Sequence, residues 1–370
     1  MSMKACLALA AVLATAAAPA PRAPLRMNDI QVIGSHNSYK KRIAPAVFAE
    51  LERRDPRLAS ALDYDHLPLA QQLDRGVRQL EIDIFADPEG GRFAHPKGEA
   101  IARAAGEKTG FDEAAMMQPG FKVFHIPEVD YRSCVTFKRC IAEIDAWSRA
   151  HPRHLPIMVT INAADRPINK PGVTDPLPLT APLLDALDGE IRAVLKPNRI
   201  ITPDDVRGNA ATLREAVTSH GAKGGWPTLD RARGKIFFVL DTPSDVSDRY
   251  RAGHPSLKGR PIFGWYDTDQ PEASVEIVGD PREDGEKIKE WVKQGFIVRT
   301  RSDADTKEAR EDDYTRARAA IDSGAQAVST DYYPGAPTRG WSRGFTVTLP
   351  GGVMERCNPV TRPVGCTLPK

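Results

Sequence analysis

Glu81 and Asp83 stand two apart, as E-I-D, inside the apolar run QLEIDIF at 79–85. On a strand that spacing sends both side chains from one face. Two carboxylates facing the mouth of a barrel could not both stay ionised without a cation beside them. Asn37 and Asn162 close two other apolar runs and offer amide oxygens. Such an oxygen-only set suits a hard divalent ion, Ca2+ or Mg2+. His36 follows the run IQVIG, and His125 ends FKVFH. A histidine after a strand is commonly a hydrogen-bonded loop residue, so its meaning rests on what the fold sets opposite it. Arg299 and Arg301 again leave one face, that of FIVRTR at 296–301, and Asp331 lies in the run at 326–332.

These residues need elements to bring them together. Eight apolar, β-branched runs recur at 30–34, 79–85, 121–125, 156–162, 235–241, 261–266, 296–301 and 326–332. Being apolar almost throughout, they read as strands covered on both faces. Helix-like stretches lie between them. In CVTFKRCIAEIDAWSRAHP, at 134–152, the apolar Val135, Ile141, Ile144 and Trp147 recur at helical spacing before Pro152, and DDYTRARAAIDSGA, at 312–325, stops at Gly324. Eight alternations predict an α/β TIM (β/α)8 barrel, a single domain with long loop insertions at 86–120 and 163–230. A doubly wound sheet is the alternative, but no G-x-G-x-x-G follows any strand. In a barrel the chemistry sits at the C-terminal strand ends, which is where these polar residues fall.

The bulk properties narrow the setting. The 51 basic and 49 acidic residues leave a net charge of +2, no footprint for nucleic acid. MSMKACLALAAVLATAAAPA, residues 1–20, carries Lys4, a short apolar core and small residues near Ala18 and Ala20. It reads as a cleavable signal peptide, so the mature protein is expected to be secreted or periplasmic. Four of the five cysteines then remain as close pairs, Cys134 with Cys140 and Cys357 with Cys366. Export favours two local disulfides. A zinc site is the competing reading, but neither pair has C-x-x-C spacing.

GSHNSY, LEIDIF, VFH and PIMVTIN, in this order and spacing, resemble the catalytic half of phosphoinositide-specific phospholipase C, most nearly its exported, calcium-dependent bacterial type. HLPLAQQLDRGVRQLEID, WPTLDRARGKIFFVLD, FIVRTRSDAD and SGAQAVSTDYYPG resemble the same group, so residues 21–370 are expected to form one such catalytic domain. The resemblance implies that Asn37, Glu81, Asp83 and Asn162 hold calcium and that His36 and His125 flank the scissile phosphate. The eukaryotic enzymes usually have Glu where this chain has Asn162. That change removes a negative charge and moves the work of the base to Glu81 or to metal-bound solvent. Their phosphate-gripping lysines have no counterpart in KIFFVLDTP. The implied substrate is therefore unphosphorylated phosphatidylinositol, met peripherally at a membrane by a chain expected to be monomeric. Arg299 and Arg301 could grip its phosphate or hydroxyls through their donor forks, or pair with barrel carboxylates.

Two other functions share parts of this pattern. A glycerophosphodiester phosphodiesterase has a similar barrel, histidine pair and E-x-D, but usually opens with H-R-G where this chain has H-N-S. A lipid- or phosphate-binding protein on the same scaffold would have lost turnover with the Glu. His66 and His95 read as structural, and Met116 and Met117 as packing residues rather than lipid contacts.

Overall fold

The strands form because Val, Ile and Phe runs bury both faces at once. In the computed structural model they are β1 (Ile30–Ser35), β2 (Gln79–Phe85), β3 (Ile157–Ala163), β4 (Ile236–Asp241), β5 (Ile262–Gly264), β6 (Val275–Val278), β7 (Ile297–Arg301) and β8 (Ala327–Thr330). The structure describes residues 24–369 apart from 170–172, 220–223, 243 and 363–365, so the expected signal peptide lies outside the described residues.

Each strand but β5 pairs in parallel with the next along the chain, and β8 returns to β1. Spatial order thus equals chain order, the expected α/β barrel. Among the described residues β5 and β6 meet through a single bridge, Trp265 to Val275. Helices cover the outside, among them α1 (Phe137–Ala150), α2 (Ala181–Val194), α3 (Pro281–Gln294) and α4 (Thr315–Asp322). In α1 the buried Phe137, Cys140, Ile141, Ile144 and Trp147 make the inward stripe, and the Thr136 hydroxyl caps its first turn. No described helix is long and apolar enough to cross a membrane.

One expected strand is not in the barrel wall. In FKVFH only Lys122–Val123 is extended, and it pairs antiparallel with the upper end of β2. β1 meets β2 at one register pair, Gly34 with Gln79, which leaves that upper edge of β2 open to another strand. The wall strand missed in its place is β6. No helix separates it from β5, and Glu276 interrupts its apolar run.

Both expected disulfides are present. Cys134–Cys140 ties the loop before α1 to its second turn, and Cys357–Cys366 anchors the C-terminal segment beside the short strand that pairs with β1. Met116 is buried as expected, but Met117 is exposed.

Near the C-terminal end of β1, Gly34 lets the backbone approach the start of β2. A Cβ there would stand 2.0 Å from the Gln79 Oε1 and 2.7 Å from its Cβ. Gln79 cannot simply swing away, since its amide donates to the Thr160 hydroxyl at 3.1 Å. Gly34→Ala should therefore overpack the barrel and cost about 1–3 kcal/mol. Urea unfolding checks it: an unchanged midpoint would mean the two strands have room to separate.

Candidate active site

The loop after β1 is lashed to β2 before any charged group is considered. The Ser38 amide donates to the Glu81 carbonyl at 2.9 Å, and the Glu81 amide donates to the Ser38 hydroxyl at 2.8 Å. The Gln72 amide donates to the Ser38 carbonyl at 2.6 Å and its oxygen accepts from the Ser35 hydroxyl at 2.7 Å. Between these ties Asn37 takes a left-handed backbone, φ 46°, a conformation asparagine tolerates better than most residues. His36 and Asn37 are thereby turned towards the barrel axis beside Glu81 and Asp83.

Each histidine rests on a buried aspartate. His36 Nδ1 lies 3.1 Å from Asp331 Oδ1, which leaves its Nε2 3.7 Å from Glu81 Oε1. His125 Nδ1 lies 2.8 Å from Asp83 Oδ2, with 45% of the side chain exposed. A carboxylate can only accept, so each Nδ1 carries the proton and each Nε2 is left for other work. Asp130 fixes the second histidine's backbone, accepting from the amides of His125 and Ile126 at 2.7 and 2.6 Å. Burial alone would lower the His125 pKa, but the Asp83 hydrogen bond and charge push it up to about 9. For Asp331 burial acts upward and is overcome by His36, His66 and Arg301, which hold the carboxyl well below the usual range.

The four expected cation donors sit together on the inner face. Asp83 is in register with Asn162 across β2 and β3, and Glu81 is one pleat below. With the Asn37 amide turned one way, its nitrogen donates to the Tyr64 hydroxyl at 2.8 Å and its oxygen faces only Asp83, at 3.1 and 3.2 Å. Turned the other way, it donates to Asp83 and accepts from Tyr64. The second orientation satisfies every group and is the one that suits the site without a cation; a turn of the amide would present its oxygen beside Asp83 to one. The donor set, two carboxylates and two amide oxygens, fits a hard cation such as calcium. Among the described residues, however, no three His, Cys, Asp or Glu side chains converge as a ready metal site. Two of the four donors are amides, and both carboxylates already have cationic partners: Asp83 has His125, and Glu81 makes a close ion pair with Arg299. Burial acts to raise Glu81, but Arg299, then His36 and Arg301, hold it below its ordinary value.

Arg299 and Arg301 both reach the site, paired with carboxylates. Arg301 Nη2 is 3.6 Å from Asp331 Oδ2, and its Nε and Nη2 are buried without a hydrogen-bond partner among the described residues. His66, read as structural, donates from Nε2 to the His36 carbonyl at 2.7 Å, while His95 lies at the surface 3.8 Å from Glu113. Asp331 is more central than its place in the sequence suggested. Asp241 was missed altogether, although it ends the run KIFFVLD as Asn162 ends its own and is in register with Asn162. Burial first, and then the charges of Glu81 and Asp83, push Asp241 up to about 7 against the pull of Arg299.

A family model described as phosphoinositide phospholipase C, Ca2+-dependent, matches residues 25–359. Among solved structures, a calcium-dependent phosphoinositol-specific phospholipase C from a Gram-negative Pseudomonas species is similar over 90% of this chain and 96% of its own, with TM-score 0.54 at 14% identity. A Ca2+-dependent phosphatidylinositol-specific phospholipase C from Streptomyces antibioticus is similar over 84% of this chain and 96% of its own, with TM-score 0.50 at 18% identity. At such identities the likeness shows the fold. No curated protein matches the sequence.

The His125–Asp83 pair has a signature in solution. In calcium-free protein the His125 ring should titrate near pH 9 rather than 6.5. Because the folded value is the higher one, the stability it contributes is complete below about pH 6.5 and is lost as pH rises through about 9. Asp83→Asn should bring the titration down, as read from the ring-proton NMR shifts. A wild-type value near 6.5 would show that the pair is broken in solution.

Proposed function

The chain belongs to the Ca2+-dependent phosphoinositide phospholipase C family, a family of phosphodiester-cleaving enzymes, and we propose on that premise that it cleaves phosphatidylinositol-type lipids to diacylglycerol and a cyclic inositol phosphate. The observation that carries the reading is the pair of Asp-backed histidines meeting two inward carboxylates at the barrel mouth. One such pair suits taking a proton and the other giving one, the two operations an internal phosphoryl transfer requires.

The 2-hydroxyl of the inositol ring attacks phosphorus and the diacylglycerol oxygen leaves. His36 Nε2, its other nitrogen fixed by Asp331, takes the hydroxyl proton. Glu81, the base expected from the sequence, is less suited to that step, since a carboxylate that would hold calcium has little basicity left for a proton. His125, oriented by Asp83 and held protonated by it in the calcium-free protein, gives a proton to the leaving oxygen. The unspent donors of Arg301 face the phosphate, with Arg299 beside them. Asn37, Glu81, Asp83 and Asn162 would hold calcium, which supplies positive charge to acidify the attacking hydroxyl and offset charge on the phosphate oxygens.

Asp241 supports a preference for the unphosphorylated ring. A carboxylate at the end of β4 accepts from ring hydroxyls and repels ring phosphates, whose cationic grips KIFFVLDTP lacks. The mature protein acts outside the cytoplasm, as the N-terminal sequence and two disulfides suggest, and meets lipid peripherally as a monomer.

Phosphorus NMR of phosphatidylinositol vesicles tests this directly. With calcium a five-membered cyclic phosphate should appear before any inositol 1-phosphate, and chelator should abolish both. Early appearance of the open monoester alone would mean attack by water, as in a glycerophosphodiester phosphodiesterase; no turnover with calcium would leave a binding protein. His36→Ala and His125→Ala should each cost about 10²–10⁴ in rate. An aryl leaving group, which needs little protonation, should rescue His125→Ala far more than His36→Ala. By calorimetry, Glu81→Gln and Asp83→Asn should each abolish calcium binding, whereas Asn162→Glu should tighten it through the added charge.

A further inference from the structure

Arg299 stands between two carboxylates from different strands. Its Nη2 makes the close ion pair with Glu81 Oε2 on β2, while its Nη1 lies 3.9 Å from Asp241 Oδ2 on β4. The Arg299 and Glu81 side chains are 5% and 4% exposed, so the guanidinium is paired away from water, and stripping such a group of its carboxylate is costly. If calcium takes Glu81, Arg299 loses its first partner to a competing cation. The other carboxylates of the mouth are already held, Asp83 by His125 and Asp331 by His36 and Arg301. Asp241 is within reach, and its contact with Arg299 is loose enough to tighten.

We propose that Asp241 is a positioning residue that receives the Arg299 guanidinium when calcium occupies Glu81. The inference rests on the calcium reading above and adds an acceptor that reading does not contain. Glu81 gives up one cation as it gains another, and Arg299 shifts from β2 towards β4, closing its 3.9 Å separation from Asp241 to hydrogen-bond distance. It keeps a counter-charge throughout and stays in the mouth, where the substrate phosphate needs a donor fork. Without Asp241, drawing Arg299 off Glu81 would strand a buried charge, so calcium would have to compete against an ion pair with no alternative.

A double-mutant cycle read by calorimetric calcium affinity separates this role from direct ligation. Asp241→Asn should weaken calcium binding about tenfold, and Arg299→Gln, by removing the competitor, should tighten it. In the Arg299→Gln background, Asp241→Asn should change affinity by less than about threefold. An equal loss in both backgrounds would mean that Asp241 acts on calcium itself and would overturn the proposal, as would no loss in the wild-type background. If the wild-type chain bound no calcium, the reading beneath would fall and the proposal with it. Thermal unfolding without calcium confirms that each variant is folded. Should Arg299→Gln not fold, a crystal structure of the calcium-bound wild type decides instead. A guanidinium hydrogen-bonded to Asp241 supports the transfer; one still on Glu81 overturns it.

Discussion

Charge held away from water must be paired, and that constraint organises the mouth of this barrel. Glu81, Asp83 and Asp331 are each at most 4% exposed, Arg299 is equally buried, and Arg301 lies close by. Each pairing places a group that chemistry can use: Asp331 turns His36, Asp83 turns His125, and Arg299 holds Glu81. Left single, any of these charges would cost several kcal/mol. The serine, glutamine and asparagine bonds behind the first strand serve the same end, because the ion pairs need the loop backbone at a set distance from β2.

The barrel is a scaffold suited to this problem. Its inner face presents neighbouring strands in register, so Asp83, Asn162 and Asp241 come level although each is separated from the next by nearly eighty positions. Helices outside hold the wall closed and ask nothing of the polar face within. The loop carrying His125 is the exception. It enters from a two-residue strand added to the open edge of β2 and is pinned by Asp130.

Much of this was legible in the sequence for one physical reason: a doubly covered strand is apolar, so a polar residue at its end stands out. That rule found His36, Asn37, Glu81, Asp83, Asn162, Arg299 and Arg301, and seven of the eight wall strands. It failed where its premise failed. FKVFH is apolar because it is buried beneath a loop, not because it lies in the wall. β6 is short, carries Glu276 inside it and follows β5 without a helix. Asp331 and Asp241 were visible by the same rule, but their weight comes from partners more than fifty positions away, Asp331 facing His36 and Asp241 facing Arg299. Pairing of that kind is a property of the closed sheet and leaves no local trace.

Among the described residues β5 and β6 share a single bridge, which gives the cylinder a seam. Along every other junction at least three or four register pairs share the load, except at the β1–β2 junction, which Gly34 packs tightly and the Ser38–Glu81 bonds reinforce. The wall therefore has its fewest backbone bonds at Trp265, beside a cavity of about 390 Å³ lined by Thr242, Asp248, Arg251, Trp265, Tyr266 and Gln270. Seven strands and their helices can stay rigid while one side of the rim gives. Because β4 and β7 flank this seam, any give in it would be felt first by the Asp241–Arg299 contact that reaches across it.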